Sequence, residues 1–283
     1  MTQETSDLIV EHISRTGAPF NMAARHYHDQ YEIYYLLNGE RYYFIDNRTY
    51  HVKKGDIVLI DKNILHKTNT AREYPHERIL IQFSADITDK ITKETKDIDL
   101  YHCFHLKQNV YSLNPEEQLW MENHLFNILQ EKKKKQEGYF TYVTILIIEL
   151  LIFLNRFIKS TTSFSANYPN ETHKKISEIA GFINKNFNNK LSLTELAEQF
   201  NYSPTYLSKT FKKVTGFSFV EYKNNVRIKE ASKLLQQSSL NITEIACQVG
   251  YNNLTHFGRI FKKITGHSPL EYRKIRENLR KED

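Results

Sequence analysis

The chain has 283 residues, 40% of them apolar and 25% charged, with nine glycines, six prolines and a formal net charge of +6. That length accommodates two ordinary domains, and the composition excludes a disordered, collagen-like or other fibrous chain. The charge is unevenly spread: residues 171–283 carry 19 Lys and Arg against 11 Asp and Glu, whereas residues 1–170 carry 20 against 22. A basic end joined to a near-neutral one suggests a nucleic-acid-binding part attached to a part with another task. Cys103 and Cys247 lie in different halves and no signal-peptide pattern precedes them, so free thiols in a reducing cytoplasm are expected.

Along residues 22–83 short apolar runs alternate with polar residues and are broken by Asn38-Gly39 and Asp46-Asn47, the pattern of hairpins in a small antiparallel β-barrel or sandwich. In HYHDQYE, residues 26–32, strand alternation puts His26, His28 and Glu32 on one face, and two imidazoles with a carboxylate are a donor set for zinc, iron or manganese. Tyrosines crowd the same region at 27, 31, 34, 35, 42, 43 and 50, with Arg41 among them. Aromatic faces beside hydrogen-bonding groups suit a sugar or another small metabolite, although most of these tyrosines are expected as ordinary half-buried strand residues.

Helical spacing takes over at 115–131 and again at 139–159. The second stretch is about as long as a membrane span, but Glu149 near its middle favours a buried helix at a domain or dimer interface over a bilayer segment. The lysine run at 132–135 reads as a solvated helix end. Residues 160–170, rich in Ser and Thr and holding Pro169, read as a linker.

Beyond the linker the chain repeats itself. Residues 191–202, LSLTELAEQFNY, recur as LNITEIACQVGY at 240–251, and 211–222, FKKVTGFSFVEY, recur as FKKITGHSPLEY at 261–272. Each copy reads as a helix-turn-helix unit, about 191–214 and 240–264. In the first, Leu196, Ala197 and Phe200 form one apolar face, Ser203 caps the next helix with Pro204 in its first turn, Leu207, Phe211 and Val214 face inward, and Gly216 ends it. This leaves Thr205, Tyr206, Ser208, Lys209, Lys212 and Lys213 outward. In the second copy Phe257, Phe261 and Ile264 face inward and leave Leu254, Thr255, His256, Arg259, Lys262 and Lys263 outward. Small polar groups at a helix start with cations further along suit a major groove, and Arg259 has the two-pronged donor geometry that reads guanine. Residues 226–235 read as an amphipathic helix joining the units.

Residues 173–276 resemble the DNA-binding domain of the AraC/XylS family of bacterial transcription regulators. The resemblance rests on Leu196-Ala197; on Arg227-Ile228, Ala231 and Leu234-Leu235; on Ile242, Ile245-Ala246 and Val249-Gly250-Tyr251; and on Phe257, Arg259, Phe261-Lys262-Lys263, Gly266, Ser268-Pro269 and Tyr272-Arg273. Phe219 stands where the second unit has Pro269. The resemblance implies two recognition helices entering successive major-groove segments of double-stranded DNA, and it brings Arg227 into the expected DNA contacts. In the front half His26, His28, Glu32 and Gly39, followed by Gly55, Asp56 and His66, resemble the two signatures of the cupin barrel, in which His26, His28, Glu32 and His66 would hold a metal. The leading glycine is missing, and Asp61 and Asn63 replace the usual proline and glycine.

Together these readings describe an α+β chain of two domains. A cupin-like antiparallel β-barrel that senses an effector spans 1–112, a helical dimerisation and coupling region 113–159, a linker 160–172, and an all-α DNA-binding domain 173–276. The expected protein is a cytoplasmic regulator, not an enzyme, with no cofactor and no membrane association. It is a homodimer that binds a sugar or related metabolite through His26, His28, Glu32, Tyr34, Arg41 and His66, and activates transcription with RNA polymerase as partner. A metal-dependent cupin enzyme fused to a DNA-binding domain, and a dimeric regulator that senses nothing, stay open as alternatives.

Overall fold

The computed structural model describes residues 8–16, 28–71, 75–92, 98–160 and 168–282. The front half holds β1 (Leu8–Arg15), β2 (Tyr31–Asn38), β3 (Glu40–Ile45), β4 (Arg48–Lys53), β5 (Asp56–Ile60), β6 (His66–Thr70), β7 (His76–Phe83), α1 (Asp86–Thr92), a 3-10 turn at His102–Phe104 and β8 (Val110–Ser112). They form two antiparallel sheets, one ordered β1-β7-β2-β5-β8 and the other β4-β3-β6. The cupin-like architecture is present as two sheets that are not closed into a continuous barrel. Asp46, at φ +54°, turns the β3–β4 hairpin as the sequence suggests. Asn38-Gly39 makes no hairpin, because both edges of β2 are occupied by β5 and β7 and the chain must cross to the other sheet. Gly39 makes that corner at φ +93°, where a Cβ would lie 2.7 Å from the Pro75 carbonyl oxygen.

β2 is buried on both faces, so its tyrosines divide between two environments. Ile33 and Tyr35 join Ile79, Ile81 and Phe83 on the outer face, covered by α2 (Pro115–Lys134) and α3 (Tyr139–Ser160). Tyr34 and Leu36 point between the sheets with Tyr43, Ile45, Val52, Val58, Ile60 and Leu80. Tyr34, Tyr35 and Tyr43 are thereby fully enclosed rather than half-buried. Asn114 and Glu117 form a reciprocal cap at the start of α2, and Pro115 fits its first turn. α3 is the one helix among the described residues long and apolar enough to cross a membrane. Here it buries Val143, Ile147, Leu150, Leu151 and Leu154 in the core, each side chain stabilising by about 2 kcal/mol.

The second half is helical: α4 (Glu171–Lys185), α5 (Leu193–Gln199), α6 (Pro204–Thr215), α7 (Phe219–Gln237), α8 (Ile242–Gln248), α9 (Leu254–Thr265) and α10 (Pro269–Glu282). Most of the linker expected at 160–172 falls on 161–167, outside the described residues. The sequence repeat is a repeat of caps. Ser192/Glu195 and Asn241/Glu244 close the starts of α5 and α8, Ser203 and Asn253 cap α6 and α9, and Gly216 and Gly266 end those helices at φ +81° and +84°. One core gathers around Ile179, Leu196, Leu207, Phe211 and Tyr222, and another around Ile228, Ile245, Phe257 and Phe261.

The halves meet across the smaller sheet. Phe44 on β3 is part of the first helical core, and its ring lies 5.8 Å from that of Tyr222. The Tyr42 and His173 rings are 4.6 Å apart. Tyr222 donates to the Asp46 carbonyl at 2.7 Å, and Lys229 pairs with the Asp46 carboxylate at 3.3 Å.

Candidate functional site: a two-sheet interior joined to paired recognition helices

Cross-strand pairing decides what faces the space between the sheets. Tyr34 lies opposite Leu80, Leu36 opposite Arg78, Tyr43 opposite Thr68 and Ile45 opposite His66. Alternation then places Glu32 on β2, Arg41 on β3, His66 and Thr68 on β6, and Arg78 and Gln82 on β7 in the same interior.

At one end Glu32, with no exposed surface, is surrounded by donors. Tyr43 donates to its Oε1 at 2.6 Å and Gln82 to its Oε2 at 2.6 Å, while the Nε2 atoms of His28 and His66 lie 3.2 and 3.5 Å from Oε2. Burial acts to raise the Glu32 pKa, but the charge of His66 and the hydrogen bond and charge of His28 outweigh it and hold the carboxyl well below its usual value. Burial acts to lower the His28 pKa; the Glu32 carboxylate and the Gln30 carbonyl prevail and raise it. The buried charge is stabilised by its network.

The cupin pattern makes this cluster the test for a metal. The ligand atoms of His28, Glu32 and His66 lie within 4.8 Å of one another, and both histidines direct Nδ1 to backbone carbonyls. His26 falls outside the described residues. The Gln82 amide nitrogen, however, lies 3.2 Å from His28 Nε2 and 2.6 Å from Glu32 Oε2, and next to a carboxylate that atom must be the donating NH2. It covers two of the three ligand atoms. The residues as arranged do not fit a bound ion, and nothing below is routed through one.

The other end of the interior is cationic. Arg41 is 2% exposed and donates from Nη1 to the Thr70 hydroxyl at 3.2 Å. Arg78 is 8% exposed, with its guanidinium carbon 5.4 Å from the Tyr34 ring centre. Burial raises the Tyr34 pKa to about 12 despite both arginines. Of the six residues singled out for an effector, Glu32, Tyr34, Arg41 and His66 share this interior and His28 borders it. Gln82 and Arg78 escaped notice, although the alternation His76-Glu77-Arg78-Ile79-Leu80-Ile81-Gln82 marks polar groups on the inner face of β7; Tyr43 was noted only as one of the crowded tyrosines.

In the helical half Thr205, Tyr206, Ser208, Lys209, Lys212 and Lys213 are exposed on α6, and Leu254, Thr255, His256, Arg259, Lys262 and Lys263 are exposed on α9. Arg227 differs from these in being mostly buried. It is 8% exposed, donates from Nε to the Phe187 carbonyl at 2.7 Å and from Nη2 to the Asn189 carbonyl at 3.1 Å, and lies 5.2 Å from the Tyr251 ring centre. It ties the loop after α4 to Tyr251 of the second unit.

β6 connects the two regions. Its inward His66 lies by Glu32, while its outward Lys67 and Asn69 donate to the carbonyls of Gly216 and Val214 at 2.9 Å each, at the C-terminal end of α6. A cation and an amide there satisfy carbonyls that the helix itself leaves open.

An interior lined by buried polar groups, joined to two capped helix-turn-helix units, defines a DNA-binding regulator with its own ligand domain. Comparison with known proteins agrees: the AraC-like ligand binding domain family matches residues 9–137 and the helix-turn-helix domain family matches 196–275, between them most of the chain. The chain belongs to the AraC family of transcriptional regulators. The Msm operon regulatory protein of Streptococcus mutans is 24% identical over 96% of this chain and 94% of its own length. The uncharacterised regulator YbfI of Bacillus subtilis is 27% identical over 82% of this chain and 80% of that one. A longer regulator of Staphylococcus aureus strain MRSA252 is 25% identical, and this chain spans 29% of it. Among solved structures, apo ToxT K231A of Vibrio cholerae aligns over 96% of this chain and 98% of that one, with 15% identity and a TM-score of 0.42.

Proposed function

We propose that a small metabolite held between the sheets governs how the first helix-turn-helix unit docks on β6, and so governs operator occupancy. The observation that carries this reading is the two-faced strand β6, with His66 inside and Lys67 and Asn69 on the α6 carbonyls. A ligand that prefers one arrangement of β6 shifts the population of docked and undocked α6 by its differential affinity. By the family resemblance the metabolite is a sugar or related compound and the outcome is activation with RNA polymerase, in a cytoplasmic homodimer.

In this reading the DNA contacts come from the exposed residues of α6 and α9 named above, with Arg259 on a base edge and the paired lysines on phosphates. Gel-shift titration of a mapped operator with and without a metabolite panel tests the whole: a metabolite that changes the affinity supports it, and an affinity independent of every metabolite that binds the protein overturns it. In the same assay Arg259→Ala weakens specific binding by about 1–3 kcal/mol, and an unchanged affinity removes that assignment. His28→Ala abolishes the metabolite response and leaves basal DNA binding in place.

A further inference from the structure

Arginine side chains withdrawn from water are ordinarily matched by acceptors, because a desolvated guanidinium without them is unstable. Arg78, at the cationic end of the two-sheet interior, breaks this rule at one nitrogen. Arg78 is 8% exposed and its Nη1 has no hydrogen-bond partner. Arg41 comes from the opposite sheet, is 2% exposed, and acts with Arg78 on the Tyr34 hydroxyl. The other buried carboxylates described in this domain are occupied elsewhere: Glu32 by Tyr43 and Gln82, and Asp56 by the Ser112 hydroxyl and the Lys53 amide. Burial first, and then the charges of Arg41, Arg78 and Arg15, hold His76 down to about 4.

We infer that the Arg78–Arg41 end of the interior is an oxyanion subsite, so that the effector is a small metabolite bearing a carboxylate or a phosphate. This rests on the ligand-sensing reading above and narrows its chemistry. An oxyanion beside Arg78 supplies the acceptor that Nη1 lacks, and the planar guanidinium matches carboxylate and phosphate geometry. The hydroxyl groups of such a metabolite would face the Tyr34 and Tyr43 side of the interior, so a sugar acid or sugar phosphate fits better than a neutral sugar.

The test is a thermal-shift titration of the full chain at constant ionic strength with glucose, gluconate, glucose 6-phosphate and inorganic phosphate, run on wild type and on Arg78→Met. Phosphate also meets the basic recognition helices, and the difference between the two proteins removes that contribution. The expected result is a rise in Tm of about 2 °C or more with at least one anionic probe and a smaller one with glucose, the anionic rise being lost in Arg78→Met. Which anionic probe acts separates free phosphate, organic phosphate and carboxylate. In buffer without these anions Arg78→Met melts no lower than wild type, since it removes a buried, unmatched charge. Equal shifts in the two proteins, no shift with any anion, or glucose matching its anionic counterparts overturns the subsite. Operator binding measured alongside keeps the readings apart: an anion acting through Arg78 without changing operator affinity leaves the subsite and removes the sensing role. A neutral metabolite that changes operator affinity does the reverse.

Discussion

Arg227 is the residue whose role depends most on context. On a helix between two DNA-reading units its charge suggests phosphate, yet the loop containing Phe187 and Asn189 folds over it and turns its donors to two carbonyls. Gly250, at φ +87°, permits the approach: a Cβ there would lie 2.5 Å from the Asn188 carbonyl oxygen and 2.7 Å from Arg227 Nη2. Arg227→Ala therefore lowers unfolding stability by about 3 kcal/mol, the order of two charge-assisted hydrogen bonds, and an unchanged denaturant midpoint would remove the bracket. His76 gives a prediction with a sign. Burial first, and then Arg41, Arg78 and Arg15, lower its pKa from 6.5 to about 4. The unfolded chain thus takes up a proton near pH 6.5 that the folded one refuses until about 4, and stability falls as the pH drops through that window. His76→Gln flattens the Tm-against-pH curve between these limits, and a slope equal to wild type contradicts it. Glu32 was legible from strand alternation and His66 from the cupin resemblance, whereas Gln82 and Arg78 belong to no motif and become partners only through the β2–β7 register.

At the scale of elements, α6 is held at both ends by different parts of the chain. Ser203 caps its start from within the repeat, while Lys67 and Asn69 reach its last carbonyls from β6. The first device is local and readable in the sequence, because a cap and its helix are adjacent. The second joins residues about 150 apart, and no periodicity announces it. The Asn38-Gly39 corner shows the same limit: the turn chemistry is readable, but whether it closes a hairpin depends on which strands flank β2. Because α6 carries the first set of exposed residues proposed to contact DNA, its attachment to β6 is where the proposed signal from the interior would act. Lys67→Ala combined with Asn69→Ala removes two hydrogen bonds, about 1–2 kcal/mol of docking free energy. The expected result is an operator affinity that is the same with and without effector. A retained response would mean that the signal travels by another contact, such as Asp46 with Tyr222 and Lys229.

On the scale of the whole molecule, the two halves are distinguishable by charge and by repeat, and their order along the chain was readable without coordinates. Their contact was not, because Phe44, Tyr42 and Lys67 read as ordinary outward strand residues until α4, α6 and α7 are placed against them. A further surface has no cover among the described residues. α2 exposes Leu119 and Phe126, seven residues and two turns apart, and α3 exposes Phe140, Tyr142 and Ile145, each between 38% and 63%. The two helices form one layer, with Trp120 of α2 stacked on Phe153 of α3 at 4.0 Å. Apolar side chains exposed on such a layer favour self-association, since pairing two copies withdraws them from water without a new partner. Dimerisation also multiplies operator affinity, because the second copy binds at high effective concentration once the first is seated. Leu119→Glu with Ile145→Glu places carboxylates on this layer, at positions outside the core. For the homodimer proposed above, the double variant should keep the wild-type melting temperature within a few degrees, sediment as a monomer while wild type sediments as the proposed dimer, and bind a two-site operator about tenfold or more weaker with single-site affinity unchanged. A variant that still sediments as a dimer would move the interface to another face.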